Sequence, residues 1–202
     1  MSDDVKRRAP AAGRNRDAIR DVLQRTLPDR GLVLEIASGT GEHIAHFAQG
    51  CAPGLAFQPS DPDPQARASI DAWVAELRLA NVRAAIALDA SAPAWPVARA
   101  DAVLCINMIH IAPWAAAIGL LQGTARVLAA DGVLYLYGPF QQDGRHTAPG
   151  NERFDQSLRQ QNAAWGVRDL GAVAALAAAA GFAPPVVEAM PANNLSVIFR
   201  KR

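Results

Sequence analysis

The stretch Val33-Leu34-Glu35-Ile36-Ala37-Ser38-Gly39-Thr40-Gly41-Glu42-His43 decides the fold, because it reads as a buried strand running into a tight turn and a helix. Val33, Leu34 and Ile36 suit a strand covered on both faces, as in a parallel sheet. Gly39 and Gly41 permit a sharp turn and let backbone N–H groups come close to a ligand. Glu42 to Gln49 has the composition of a helix, so the turn aims a helix N-terminus at whatever sits there. Glu35 is the acidic exception inside an apolar strand. A buried carboxylate needs a partner, since an unpaired one is costly or takes up a proton. A ligand carrying an ammonium group is one such partner. A Gly-x-Gly turn alone occurs in many strand–helix junctions, but Glu-x-Ala-x-Gly-x-Gly on a buried strand is sharper. The third glycine of the dinucleotide fingerprint is missing, its place taken by Ile44.

Outward from this stretch, helix and strand alternate. Residues 1–13 read as a flexible tail, with Lys6-Arg7-Arg8 solvated. Arg14 to Leu27 is a helix with Ile19, Val22, Leu23 and Leu27 at helical spacing, closed by Pro28. After the first strand, strands are expected at Leu55–Gln58, Val82–Leu88, Ala102–Ile106, Val133–Tyr137, Val186–Met190 and Ser196–Phe199. Helices are expected at Pro64–Leu79, Ile118–Leu128 and Leu170–Ala180, and a polar, glycine-containing segment precedes the last of these. This order implies a mostly parallel sheet with helices on both faces, closed by a hairpin that adds one antiparallel edge strand. Ligands of such sheets sit beyond the carboxyl ends of the strands. Ser38, Asp61, Asp89, Asn107 and Gly138 each follow a strand and so fall along that edge.

Asp61 can accept hydrogen bonds from both hydroxyls of a ribose, or it can make an Asx turn in Asp61-Pro62-Asp63-Pro64. Asp89 can accept from an adenine amine or cap the turn before Ser91. The chain has 202 residues, enough for one domain with a sizeable core, and a formal charge of +1. That charge supplies no field to attract nucleic acid or an anionic membrane. Its two cysteines, Cys51 and Cys105, lack metal-ligand spacing and suggest no disulfide framework. No signal peptide or bilayer-spanning apolar run is read, so a reducing cytoplasm is the expected compartment.

The acidic-x-[Gly/Ala]-x-Gly-x-Gly phrase at Glu35 to Gly41 resembles the first motif of Rossmann-like S-adenosylmethionine-dependent methyltransferases. A narrower resemblance covers nearly the whole chain, to the methyltransferase-like proteins grouped as domain of unknown function 938. It rests on Leu34 to His43, Gln58-Pro59-Ser60-Asp61, Ile106 to Trp114, Tyr137-Gly138-Pro139-Phe140, Asp143 to Thr147, Trp165 to Asp169, and Met190 to Leu195. Gly13 and Gly150 depart from the pattern, where an acidic residue and a serine are expected. The resemblance implies a single domain, a three-layer sandwich around a seven-stranded, mostly parallel sheet with one antiparallel strand in a C-terminal hairpin. It implies S-adenosylmethionine as cofactor and S-adenosylhomocysteine as product. The cofactor would be held by Glu35, Ala37, Ser38, Gly39, Thr40, Gly41 and His43. Ser60, Asp61, Asp89, Ala90, Asn107 and Met108 would complete its site. Arg14, Asn15, Trp114, Arg145, Asn151 and Asn193 are the residues expected to meet the acceptor.

Methyl transfer is an in-line attack on a sulfonium carbon, so the protein must position the nucleophile and sometimes take its proton. His110 is the first candidate base, its ordinary pKa lying near neutrality, with a structural histidine as the other reading. Tyr137 and His146 are the further candidates, His146 in a loop that can act as a lid. Arg145 suits a carboxylate or phosphate. The expected acceptor is a small molecule methylated on oxygen, nitrogen or sulfur, with no metal, nucleic acid or membrane involved, by a monomer or homodimer. Adenine-specific enzymes would carry Asn-Pro-Pro-aromatic where this chain has Asn107-Met108-Ile109-His110. The alternatives are a non-catalytic S-adenosylmethionine-binding protein and an NAD(P)-dependent oxidoreductase. The latter is disfavoured by Ile44 and by a missing Tyr-x-x-x-Lys pair. An open acceptor pocket would favour the enzyme, and one plugged by Trp114 or Phe140 the binding protein.

Overall fold

The computed structural model describes residues 5–202. Helix α1 (Pro10–Thr26) begins on a proline, which suits a first turn whose N–H has no helical partner, and buries Ala12, Ile19, Val22 and Leu23. It leads through β1 (Arg30–Ile36), α2 (Glu42–Gly50), β2 (Gly54–Pro59) and α3 (Pro64–Leu77) to β3 (Ala100–Ile106). Then come α4 (Trp114–Val127), β4 (Leu128–Gly138), the two-residue strands β5 (Gln141–Gln142) and β6 (Arg145–His146), and α5 (Pro149–Gln161). Helix α6 (Leu170–Ala179), β7 (Val186–Met190) and β8 (Asn194–Arg200) close the chain.

The main sheet has six strands in the order β2-β1-β3-β4-β8-β7. The first four run parallel, while β8 pairs antiparallel with both β4 and β7. The antiparallel strand is therefore internal and β7 is the edge, which corrects the expectation of an antiparallel edge strand. Alternate residues face opposite layers, as the pleat requires. Val33, Leu104 and Tyr135 pack with Ile19, Leu23 and Phe47 from α1 and α2. Leu34, Val103 and Leu136 pack with Leu120 and Leu121 from α4 and Val173 from α6. Each such side chain contributes roughly 1.5–3 kcal/mol by leaving water. Among the described residues no helix is long and apolar enough to cross a membrane.

The seventh strand, expected at Val82–Leu88, does not form. Only the bridges Phe57↔Val82 and Ser60↔Ile86 join this segment to β2. The outward N–H groups of β2 should come from residues 57, 59 and 61. Phe57 donates to Asn81 O at 2.8 Å and Asp61 to Ile86 O at 3.1 Å, but Pro59 has no N–H to give. The Gln58 side-chain amide fills the gap by donating to Ala84 O at 2.8 Å.

The chain start is corrected from Val5 onward, whereas residues 1–4 of the expected tail lie outside the described residues. Helix α1 starts at Pro10 rather than Arg14. The Arg7 N–H donates to Ser69 Oγ at 2.7 Å, Trp73 Nε1 donates to Arg7 O at 3.1 Å, and Lys6 Nζ lies 4.4 Å from the centre of the Trp73 ring. The basic run is thus fastened to α3. Helix α5 occupies part of the polar, glycine-containing segment to which the sequence assigns no element. Its inward positions carry Asn151, Asp155 and Leu158, at helical spacing but mostly polar, so no apolar period marks it.

Candidate functional site

The carboxyl ends of β1, β2, β3 and β4 meet along one edge of the sheet. Glu35, one residue from the end of β1, pairs in register with Pro59 on one side and Leu104 on the other. Being enclosed by both neighbours, it is only 2 % exposed, and its Oε2 has no hydrogen-bond partner. Burial pushes its pKa up to about 7, opposed by the Ser38 hydroxyl and reinforced by the charge of Asp61.

The turn after β1 holds Ala37, Gly39 and Gly41 at positive φ (55°, 58° and 89°). For Gly41 the space is also closed: a Cβ there would lie 2.7 Å from Ile70 Cα, so glycine lets the start of α2 rest on α3. Ala37 carries a left-handed conformation at a real steric cost, a kind of strain that clusters at ligand sites. Ser60 Oγ donates to Glu35 O at 2.7 Å, and the Ser38 N–H to Ser60 O at 2.9 Å, tying the turn to the end of β2. The Asp61 carboxylate makes the Asx turn and also reaches back to the turn after β1. Oδ1 accepts from the Asp63 N–H at 3.0 Å, making the Asx turn, and Oδ2 accepts from the Gly39 N–H at 3.0 Å. Asp89 Oδ1 accepts from the Ser91 N–H and hydroxyl, at 2.8 and 2.7 Å.

These residues border a cleft of about 390 Å³ lined by Ala37, Asp61, Asp89, Ala90, Met108 and Ile111, among others. A second cleft of about 700 Å³ is lined by Arg14 and Asn15 from α1, Asn107, Tyr137, Asn151 from α5 and Asn194. The two share Ile111, which is 43 % exposed. Asn107, at φ 62°, lines the second and is fixed by its N–H donating to Tyr137 O at 2.8 Å. Burial raises the Tyr137 pKa, and the Asn15 and Asn194 side chains pull it back.

Of the residues expected to hold the cofactor, Ala37, Asp61, Asp89, Ala90 and Met108 line the first cleft, while Glu35, Ser38, Gly39, Thr40, Gly41 and Ser60 build the strand ends and turn beside it. Asn107 lines the second cleft instead. His43 lines neither. Its Nε2 meets Asn15 Oδ1 at 2.8 Å, its ring stacks on Phe47, and burial lowers its pKa to about 4, so it braces Asn15 from behind.

Five acceptor-side expectations are corrected. His110 is fully buried and lines neither cleft; its Nδ1 accepts from the Arg168 N–H at 3.2 Å, and its ring meets Phe140 edge-on. Burial, helped by the Arg168 charge, lowers its pKa to about 3, so the ring is neutral near neutrality. His146 sits on β6, with Nε2 3.5 Å from Asp155 Oδ2, outside both clefts. Trp114 packs into the core under the Arg168 guanidinium, 5.6 Å from its ring centre, and Arg145 is exposed away from the clefts. Asn193 gives only its carbonyl, to Asn151 Nδ2 at 2.9 Å, while its neighbour Asn194 lines the cleft. Phe154 and Ile111 were not anticipated as lining residues. The Trp165-Gly166-Val167-Arg168-Asp169 phrase also gains a purpose: Arg168 donates to Ile109 O and Ala112 O at 2.9 and 2.7 Å, stapling the loop after β3.

The sequence profile of the family described as Protein of unknown function (DUF938) matches residues 6–201. The chain belongs to the DUF938 family. Solved structures place this DUF938 protein in the methyltransferase fold. It superposes on an O-methyltransferase family 2 protein from Planctomyces limnophilus, in complex with apigenin, with a TM-score of 0.81 at 18% identity, covering 95% of this chain and 59% of that one. CalO1, a methyltransferase of calicheamicin biosynthesis in its SAH-bound form, gives 0.72 at 19% identity, covering 92% and 54%. YcgJ from Bacillus subtilis gives 0.71 at 14% identity, covering 94% and 99%. The DUF938 chain thus spans little more than half the length of the first two of these proteins and nearly the whole of YcgJ. At these identities the likeness is one of fold.

Proposed function

We propose that the protein is an S-adenosylmethionine-dependent methyltransferase of small molecules. The carrying observation is the carboxyl of Glu35, buried at the tip of β1 beside the Gly39 turn with its Oε2 unpartnered. A fixed, buried carboxyl with one oxygen free of protein partners fits the ammonium of an amino-acid moiety, which favours its ionised form. Asp61 spends one lone pair of each oxygen on backbone N–H groups, leaving the others for the two ribose hydroxyls. Asp89, Ala90 and Met108 then surround the base, with one acidic acceptor and apolar walls. The residues present therefore fit the group that this fold commonly carries.

When bound, the cofactor supplies an electrophilic methyl carbon and its leaving group. The chain supplies position. The second cleft holds an acceptor with the amides of Asn15, Asn107 and Asn194 and the Tyr137 hydroxyl, and Ile111 connects it to the first. The open second cleft favours turnover over mere binding. Phe140 is fully buried and Trp114 packs into the core, so neither plugs it. The oxidoreductase reading loses further support because Ile44, in the place of the third glycine, is fully buried in the core between α1, α2 and the sheet.

The test is calorimetry with S-adenosylmethionine, S-adenosylhomocysteine and NAD, followed by incubation of S-adenosylmethionine with a metabolite extract and mass detection of added methyl. Binding of the first two and a product heavier by one methylene unit are expected. Tighter binding of NAD than of either would end the reading.

A further inference from the structure

Resting on the methyltransferase reading, we propose that the acceptor is a small organic acid whose carboxylate pairs with Arg14 and is itself methylated, giving a methyl ester. Arg14 is the one charged side chain lining the second cleft. It is exposed and, like most of the arginines, forms no ion pair among the described residues, so its guanidinium is free to meet a ligand. The other polar groups there are neutral: the amides of Asn15, Asn107, Asn151 and Asn194, and the Tyr137 phenol. No carboxylate, imidazole or thiol lines the cleft. Phe154 and Ile111, 40% and 43% exposed, offer apolar surface to the body of a ligand.

This set of groups sorts acceptors by what the reaction does to their charge. An alcohol, phenol or thiol must lose a proton, and no side chain in the cleft takes one. The Tyr137 phenol is already protonated and held above its ordinary value. An amine ends as a cation in a cleft whose only formal charge is positive. A carboxylate is ionised at neutral pH and needs no base, and its two oxygens match the fork of a guanidinium. A lone pair on one carboxylate oxygen forms the O–CH₃ bond as the S–CH₃ bond breaks, with its electron pair passing to sulfur. The sulfonium and carboxylate charges cancel and no proton moves, a change favoured where water is scarce. The ester is neutral, so its hold on Arg14 weakens and it can leave.

The protein saturated with S-adenosylhomocysteine is titrated with a panel of aromatic and aliphatic monocarboxylates, phenylacetate among them, and with the matched primary amides, using ligand-observed NMR. At least one acid is expected to bind tenfold or more tighter than its amide. Arg14→Gln should lower that affinity at least tenfold while S-adenosylhomocysteine affinity, measured by calorimetry, stays the same. Arg99→Gln, a charge-matched change on the opposite edge of the sheet, should alter neither. Acids binding no better than amides, or binding Arg14→Gln as well as wild type, would overturn the proposal. With S-adenosylmethionine and the best acid, the transferred methyl should be released as methanol by mild hydroxide; a base-stable methyl would overturn the assignment of the acceptor atom. If S-adenosylhomocysteine binds and the acids do not, only the acceptor class is wrong. If S-adenosylhomocysteine itself does not bind, the methyltransferase reading falls and this one with it.

Discussion

Replacing Glu35 by glutamine should move stability and cofactor affinity in opposite directions. The buried carboxyl has its pKa raised from 4.5 to about 7 by desolvation. Between those values the unfolded chain releases the proton and the folded chain keeps it, so stability falls as pH rises through this window. The loss is complete above about pH 7 and amounts to roughly 3 kcal/mol at 1.36 kcal/mol per unit. Glutamine carries no charge and escapes it. Glu35→Gln should therefore match wild type at pH 4.5 and exceed it by about 2–3 kcal/mol at pH 8, a Tm difference of roughly 4–12 °C for a chain of this size. Taking the difference between the two proteins at each pH cancels every other titrating group. The ionised carboxylate is, however, the form that pairs with an ammonium, and a hydrogen bond to a charged group is worth roughly 1.5–3 kcal/mol. Cofactor affinity should fall at least tenfold in the variant. In wild type it should weaken as pH drops below about 7, while the variant shows no such dependence. Thermal unfolding at the two pH values, with and without S-adenosylhomocysteine, reads both effects. A stability difference that does not change with pH would show that Glu35 is not desolvated as described.

Asp61→Asn removes the charge that accepts from Gly39 and Asp63 N–H groups; S-adenosylhomocysteine affinity by calorimetry should fall at least tenfold with circular dichroism unchanged. His110→Ala should cost about 2–4 kcal/mol through the cavity left by a fully buried ring, with S-adenosylhomocysteine affinity of the folded protein kept within threefold. A stable variant with transfer reduced a hundredfold would return His110 to the role of base. Ala37→Gly relieves a left-handed alanine, worth roughly 1–2 kcal/mol against an unfolded-state penalty of about 0.4–1 kcal/mol; a net gain of up to about 1.6 kcal/mol is expected in urea unfolding.

Most of the parallel core was legible because Val33, Leu34, Ile36 and Val103 to Ile106 are apolar runs bounded by turn residues, a signal that local chemistry alone supplies. What failed depended on partners. Val82–Leu88 carries strand-like residues, yet its pairing is broken by a proline on the neighbouring strand, at Pro59. Helix α5 buries Asn151 and Asp155 through hydrogen bonds to Asn193 O and the Val167 N–H, so hydrophobic periodicity could not reveal it. The first cleft was readable because Ala37, Asp61 and Asp89 follow expected strands along one edge of the sheet. The second was less so: His110, Trp114 and His146 lie in the expected loops but turn into packing that only tertiary contacts determine. Arg14, Asn15, Tyr137 and Asn151 did reach the second cleft.

Glu35, the Gly39 turn and Asp61 together make the proposed site for an adenosyl amino acid. Calorimetric titration of the wild-type protein at pH 8 with S-adenosylhomocysteine, and separately with NAD, decides whether they do. One molecule of S-adenosylhomocysteine should bind per chain, more tightly than NAD, and that binding should weaken when the titration is repeated at pH 6. Tighter binding of NAD, or no binding of S-adenosylhomocysteine at either pH, would contradict the account.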